Sequence, residues 1–383
     1  MENSSMGSRL VWNIALAVCA IVWVASPAGA QPKGEQPDPA RPVQFNPSLS
    51  ATDFNAALRS GSFAGVNQAN FGAYVTDHLL AEMTKPHMKD LLPEFREKLS
   101  KRLDASVPQG EVRDRFNDLA RATIIKIINP RSNYEPVVKF NAVLLLGELD
   151  QVKGDPRNNQ PPRPYSPAVS ILRMIVEKEQ LFSDALRVAA LRGLMRHARA
   201  GIVDTGEVGK VQQAMGALFM QREPPPGRSA DGHLWLRRRA ADVLGELRNN
   251  GQGNSVANAL VRLMGDAAEP IELRVAAARA VSRLDLSGMR ATPQSFAEEL
   301  AKLAVEAIES EESHEAARAL IAPVAASLEG AAKLAAQPAH QAAGPKIAAL
   351  QKEFKAADAD LAGGDSDAAV KKLQAALTNL RGG

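Results

Sequence analysis

The chain has 383 residues, with 46 basic and 43 acidic side chains giving a formal net charge of +3, and 45% of it is hydrophobic. Aromatics make up only 4%, which excludes a β-sandwich core built on Tyr, Phe and Trp and removes the stacking platforms that single-stranded nucleic acid needs. Near-balanced charge likewise argues against nucleic acid as a partner. A core made of Ala, Leu, Val and Ile suits closely packed helices, so an all-α fold is predicted.

The first 30 residues read as a signal peptide. Arg9 supplies the positive start, Leu10 to Val24 the apolar stretch, and Ala28-Gly29-Ala30 the small-residue cleavage site before Gln31. The apolar run is short for a membrane span and Asn13 interrupts it. An uncleaved anchor is the alternative reading. Lipid attachment at Cys19 fits less well, because bulky Val18 precedes it. Cleavage near Ala30 predicts export to the periplasm, the cell surface or the medium, with no membrane insertion of the mature chain. Cys19 is the only cysteine, so the mature chain would carry no disulfide, thiolate nucleophile or Cys-based metal site.

Residues 31–50 (QPKGEQPDPARPVQFNPSLS) are rich in Pro and polar side chains and read as a linker. Residues 51–130 form an N-terminal helical region without internal repeat, with helical spacing over 71–82, 89–103 and 111–128. Pro86 and Pro93 punctuate it, and Pro130 ends it.

From residue 131 to 330 a repeat appears. The segments VVKFNAVLLLGELD, ALRVAALRGLMRHA, WLRRRAADVLGELR, ELRVAAARAVSRLD and SHEAARALIAPVAA align on five quartets. These are Lys139/Ala142/Leu146/Leu149, Arg187/Ala190/Leu194/His197, Arg237/Ala240/Leu244/Leu247, Arg274/Ala277/Val281/Leu284 and His314/Ala317/Ile321/Val324. Their last three members share one helical face. Each of the first four is followed by a second amphipathic helix, at 169–176, 211–220, 256–264 and 296–308. Pro-rich insertions occupy 153–167 and 221–232. Pro136 and Pro270 suit helix starts, and Ser183 and Ser310 suit N-caps.

The Arg-x-x-Ala-x-x-x-Leu helix with an apolar partner helix resembles HEAT repeats, best over 257–284 (ANALVRLMGDAAEPIELRVAAARAVSRL). The resemblance spans about residues 135–330. It departs from the pattern at Lys139 and His314, which replace Arg, and at His197, which replaces an apolar residue. The resemblance implies an α-α superhelix (a HEAT-like solenoid) in which neighbouring pairs bury each other's apolar faces. Residues 331–383 read as a C-terminal helical hairpin turning at Gly363-Gly364, with Asp365 or Ser366 as cap and Leu361, Ala369, Leu373 and Leu377 as seam. This hairpin is similar to a TPR half-turn.

Chemistry-bearing motifs are weak. Gly364-Asp365-Ser366 lies at a helix start, where Asp and Ser are ordinary caps. Asp358-Ala359-Asp360 lacks the bidentate Glu of a calcium loop, since Ala369 holds that position. The six histidines (His78, His87, His197, His233, His314 and His340) show no metal spacing. No cofactor and no metal is expected, and no catalytic residue is assigned. Charge is segregated instead. Arg187, Arg192, Arg196, Arg199 and Arg237 to Arg239 make the middle units basic, and Glu298 to Glu315 makes the fourth-to-fifth junction acidic. With Trp235 beside the Arg triplet, the residues predicted to bind a protein or peptide partner are Arg192, Arg196, Trp235 and Arg238. The expected function is a non-enzymatic interaction scaffold. The alternative is an assembly subunit of a cell-envelope complex docking through the terminal hairpin.

Overall fold

The computed structural model describes residues 40–286 and 292–382. The expected leader and the first part of the Pro-rich linker lie outside the described residues. Helix dominates what is described, with fifteen α-helices and one two-stranded ribbon. No helix among these residues is long and apolar enough to cross a membrane.

Three helices open the chain: α1 (Thr52–Ser60), α2 (Gln68–Ala73) and α3 (Leu92–Ser106). Most of the aromatic side chains here cluster together, with Phe54 5.5 Å from Phe71 and 5.1 Å from Tyr74 between ring centroids. The continuous helix expected over 71–82 is broken instead. It passes from α2 into a π-helical turn at Tyr74–Leu79 and a 3-10 turn at Ala81–Thr84. Thr76 contributes to this, its hydroxyl donating to the Gly72 carbonyl at 3.1 Å. The Pro-rich stretch is also less free than a linker. From Ala40 onward it is fastened down: Tyr134 Oη receives a hydrogen bond from Val43 N and donates one to Val43 O, both 2.8 Å. Asn46 N donates to Asp77 O at 2.6 Å.

Next come α4 (Glu111–Ile128), α5 (Pro136–Glu148), α6 (Ala168–Glu177), α7 (Asp184–Ala200), α8 (Thr205–Met220), α9 (Ala230–Glu246), α10 (Ser255–Met264), α11 (Ile271–Val281), α12 (Pro293–Glu309) and α13 (His314–Ala335). Helices α5, α7, α9, α11 and α13 carry the five quartets, and each packs on the next in a row. Each also packs more closely on the helix before it than on the one after, so the pairs are α4/α5, α6/α7, α8/α9, α10/α11 and α12/α13. The sequence spacing suggested the opposite phase. With this phase, residue 130 falls inside the first pair rather than between two regions.

The first quartet residue explains the phase. The last carbonyls of a helix lack intrahelical donors. Arg187 Nε donates to Val176 O at 3.1 Å, Arg237 Nε to Phe219 O at 2.9 Å and Arg274 Nε to Met264 O at 3.0 Å. Each thus satisfies the end of α6, α8 or α10. Lys139, which departs from the repeat in sequence, does the same work chemically. Its Nζ donates to Asn129 O at 3.1 Å and Ser132 O at 2.8 Å, just past the end of α4.

Small residues set how closely the row packs. A Cβ on Gly147 of α5 would lie 2.8 Å from Gly193 Cα of α7, and one on Gly245 of α9 would lie 2.7 Å from Ala280 Cα of α11. Between α7 and α9 no such small pair intervenes, since Met195 and Val243 hold the corresponding positions.

Of the expected caps, Asp365 accepts from Ala368 N at 2.8 Å, whereas Ser183 precedes α7 without a side-chain capping hydrogen bond. Asp204 and Ser229, not singled out in the sequence, accept from backbone N–H groups at the starts of α8 and α9. Ser310, expected to start the fifth unit, instead ends α12, and Ser313 caps α13 by accepting from Ala316 N at 3.1 Å. The chain ends with α14 (Gly344–Ala362) and α15 (Ser366–Arg381). Helix α15 packs against both α14 and α12, so α12 to α15 close into a ring of four. Leu361, Ala369 and Leu373 are buried in that seam as expected, joined by Ala376 and Leu380, while Leu377 is half-buried.

Candidate functional site

The first Pro-rich insertion folds into the small ribbon, with β1 (Asp150–Val152) antiparallel to β2 (Arg163–Pro164). Tyr165 anchors its exit: its N–H donates to Leu149 O at 3.0 Å, and its hydroxyl donates to Asp118 while accepting from Arg121 Nε. Burial, with Asp118 alongside, pushes the Tyr165 phenol up to about 12. The hydroxyl therefore stays protonated and serves as a fixed strut.

This ribbon forms one wall of a groove of about 750 Å³ across α5, α7 and α9. Pro161, Pro162 and Pro164 make the wall. Leu144, Gly147, Val188, Leu191 and Gly193 lie along the floor, where α5 and α7 come into close contact at the two glycines. Arg192, Arg196 and Arg199, four and three residues apart on α7, line it together with Trp235 and Arg239 of α9.

The four residues predicted from sequence therefore separate. Arg192 and Trp235 line the groove and are open to solvent. Arg192 has no hydrogen-bond or ion-pair partner among the described residues. Trp235 is 37% exposed, and the Arg239 guanidinium lies 5.0 Å from its ring centroid, a cation–π contact. Arg196 lines the groove but is held by the fold. Its Nη1 donates to Gly147 O at 3.2 Å and Leu149 O at 3.4 Å, and its Nη2 pairs with Asp150. It thereby satisfies the end of α5 and pins the base of the ribbon. Burial holds the Asp150 carboxyl above its usual value in spite of that pairing. Arg238 does not line the groove; Arg239, one residue on, does. The spacing of four from Trp235 to Arg239 was the signal for it.

Arginines outnumber carboxylates here. Arg239 Nη1 and Arg279 Nε both reach Asp242, each at 3.0 Å. Arg199 Nε and Arg283 Nη1 both reach Glu246, at 2.9 and 3.3 Å. With Arg196 on Asp150, five arginines share three carboxylates and Arg192 has none. Glu148, the one acidic side chain lining the groove, is bound by Arg96 of α3. The face is therefore electropositive.

The side chains of Arg187, Arg228 and Arg237 are instead buried in the chain, while Arg238 is half-buried. Arg237 Nη2 lies 2.8 Å from Glu269 Oε2 with both side chains 4% exposed, and the contact is an ion pair rather than an aligned hydrogen bond. Arg228 of the second insertion binds Asp184 with two nitrogens, at 2.9 and 2.7 Å, and holds its carboxyl below the usual range. His233 Nε2–H donates to Gln221 O at 2.7 Å, and its Nδ1 faces Arg228 Nη1 at 3.2 Å, so the ring is neutral. His197 is 3% exposed, and its Nε2 is buried without a partner. Burial, with Arg196 adding to it, pushes this imidazole down to about 4. Among the described residues no three His, Cys, Asp or Glu side chains are placed to hold a metal ion.

Comparison with protein-family models, curated proteins and solved structures finds no match to this chain.

Proposed function

We propose that the chain is an exported, non-enzymatic interaction scaffold: a HEAT-like superhelix of helical pairs that holds a segment of a protein partner in the groove over α5, α7 and α9. One observation carries this reading. Most arginines of the row are fixed to carbonyls or carboxylates of the chain, whereas Arg192 stands unpaired beside a solvent-open Trp235 above a largely apolar floor. Exposed Trp and Arg around an apolar depression are the side chains that dominate binding energy at protein interfaces. The order of pairs and the repeated capping arginine support the superhelix, and the signal-peptide-like sequence of residues 1–30 supports export.

Assembly through the terminal hairpin is less well supported. Its seam residues Leu361, Ala369, Leu373 and Leu380 are buried inside the chain against neighbouring helices. A photo-crosslinking side chain placed at Arg192, and separately at exposed Glu329 on α13, tests the proposal in the cell that makes the protein. Discrete adducts from the first position alone are expected. Equal adducts from both positions, or none from either, would refute groove-based recognition.

A further inference from the structure

We infer that the occupant of the groove is an acidic peptide segment, in which a carboxylate seats against Arg192 and a neighbouring apolar side chain seats against Trp235 and the Gly147–Gly193 floor. The inference rests on the docking reading above and specifies the chemistry of the partner.

Charge complementarity is the argument. A guanidinium that the chain leaves unpaired presents its donors to whatever enters, and a carboxylate matches their fork geometry. Arg199 and Arg239 reinforce it, because each shares its carboxylate with a second arginine from α11 or just beyond, so neither is fully neutralised. A cationic segment would meet this excess at close range and be repelled. A neutral segment would gain the apolar floor but nothing from Arg192. An apolar side chain flanked by carboxylates uses both parts of the site.

Aromatic and apolar contact also fits a peptide better than a nucleic acid strand. Trp235 is the one aromatic ring lining the groove, and its neighbour Arg239 already covers part of it. A strand of bases requires successive rings on which to stack.

The probe is a fluorescein-labelled Gly-Ser peptide with a central Glu-Leu-Glu block, alongside Gln-Leu-Gln and Lys-Leu-Lys versions, added to the full chain and read by fluorescence anisotropy. The acidic peptide should bind about tenfold or more tighter than the neutral one at low salt, and raising the salt should narrow that gap. Arg192→Glu should abolish the preference for the acidic peptide over the neutral one, while Arg199 and Arg239 still disfavour the lysine peptide. Trp235→Ala should weaken the acidic and neutral peptides by similar factors. Arg192 is exposed and unpaired, so circular dichroism and thermal unfolding of the Glu variant should match those of the parent.

The outcomes separate the two ideas. Equal binding of the acidic and neutral peptides, both weakened by Trp235→Ala, overturns acidic selectivity and leaves groove docking standing. Binding of the acidic peptide that ignores Arg192→Glu places it elsewhere and overturns the inference. Indifference of all three peptides to both substitutions overturns the docking reading as well. A labelled oligothymidylate binding as tightly as the acidic peptide, through Arg192, would make the site a general polyanion site and overturn the peptide assignment. Self-association that Arg192→Glu abolishes would give the groove to the exposed acidic turn around Glu312 of a second copy.

Discussion

The two sides of one helix row use the same residue type for opposite purposes. On the side facing the preceding helix, Arg187, Arg237 and Arg274 are buried, and each donates to the last carbonyls of its neighbour. On the open side, Arg192, Arg199 and Arg239 line a groove, outnumber their carboxylates and leave one guanidinium with none. The difference lies in what each position can reach. A guanidinium at the first quartet position meets a helix end, where unsatisfied carbonyls are fixed by geometry. On the other face Arg196 alone reaches such carbonyls, at the end of α5, and Arg192, Arg199 and Arg239 meet only side chains or solvent. Basic sequence alone therefore does not mark a binding surface, because Arg187, Arg196 and Arg237 are spent on capping helix ends within the chain.

The largest effect should come from the inner side. Arg237→Ala removes the cap on α8 and one partner of a buried ion pair, Glu269, although Arg222 still reaches that carboxylate at 2.9 Å. A destabilisation of about 3 kcal/mol is expected, read by chemical denaturation. Arg192→Gln should change stability by less than about 0.5 kcal/mol, the ordinary range for a surface site. Comparable losses from the two substitutions would erase the distinction between the faces.

His197 sharpens the same contrast through pH. Its imidazole is held at about 4 against an ordinary 6.5, because the neutral form alone is tolerated in its buried site. The unfolded chain takes up the proton first as the pH falls. The contribution of His197 to stability is therefore complete above pH 6.5, declines between 6.5 and about 4, and changes no further below that. At about 1.4 kcal/mol per pKa unit, the loss approaches about 3 kcal/mol. His197→Leu should flatten that part of the pH profile without loss at neutral pH, since Nε2 has no partner to forfeit. A profile unchanged by the substitution would mean the ring is more open to water than its burial implies.

Sequence reasoning reached these features unevenly. Helical periodicity located nearly every helix from residue 111 onward, because amphipathic spacing is written locally. It misjudged which helix pairs with which, since that depends on where the quartet arginine finds its carbonyls, a contact between helices. The break at Tyr74–Leu79 was likewise hidden, because a π-helical turn keeps the composition of an α-helix. Of the candidate site, Arg192 and Trp235 were legible as a basic and aromatic patch. The structural commitment of Arg196 was not, because Asp150 and the end of α5 lie more than forty residues away in sequence. The Pro-rich insertion read as an interruption of the repeat, and only its folding back onto α7 made it a groove wall.

A further effect concerns the floor itself and depends on what two glycines omit. A Cβ at Gly147 would meet the Gly193 backbone at 2.8 Å, and backbone cannot swing aside as a flexible side chain does. Gly147→Ala must therefore push α5 and α7 apart, at a cost of about 1–3 kcal/mol typical of overpacking. Gly216, inside α8, meets nothing within 4 Å. There the same change should stabilise by up to about 1 kcal/mol, because alanine loses less backbone freedom on entering a helix. Thermal unfolding of the two variants should move in opposite directions. If Gly147→Ala instead behaved like Gly216→Ala, α5 and α7 would not be in contact through their glycines.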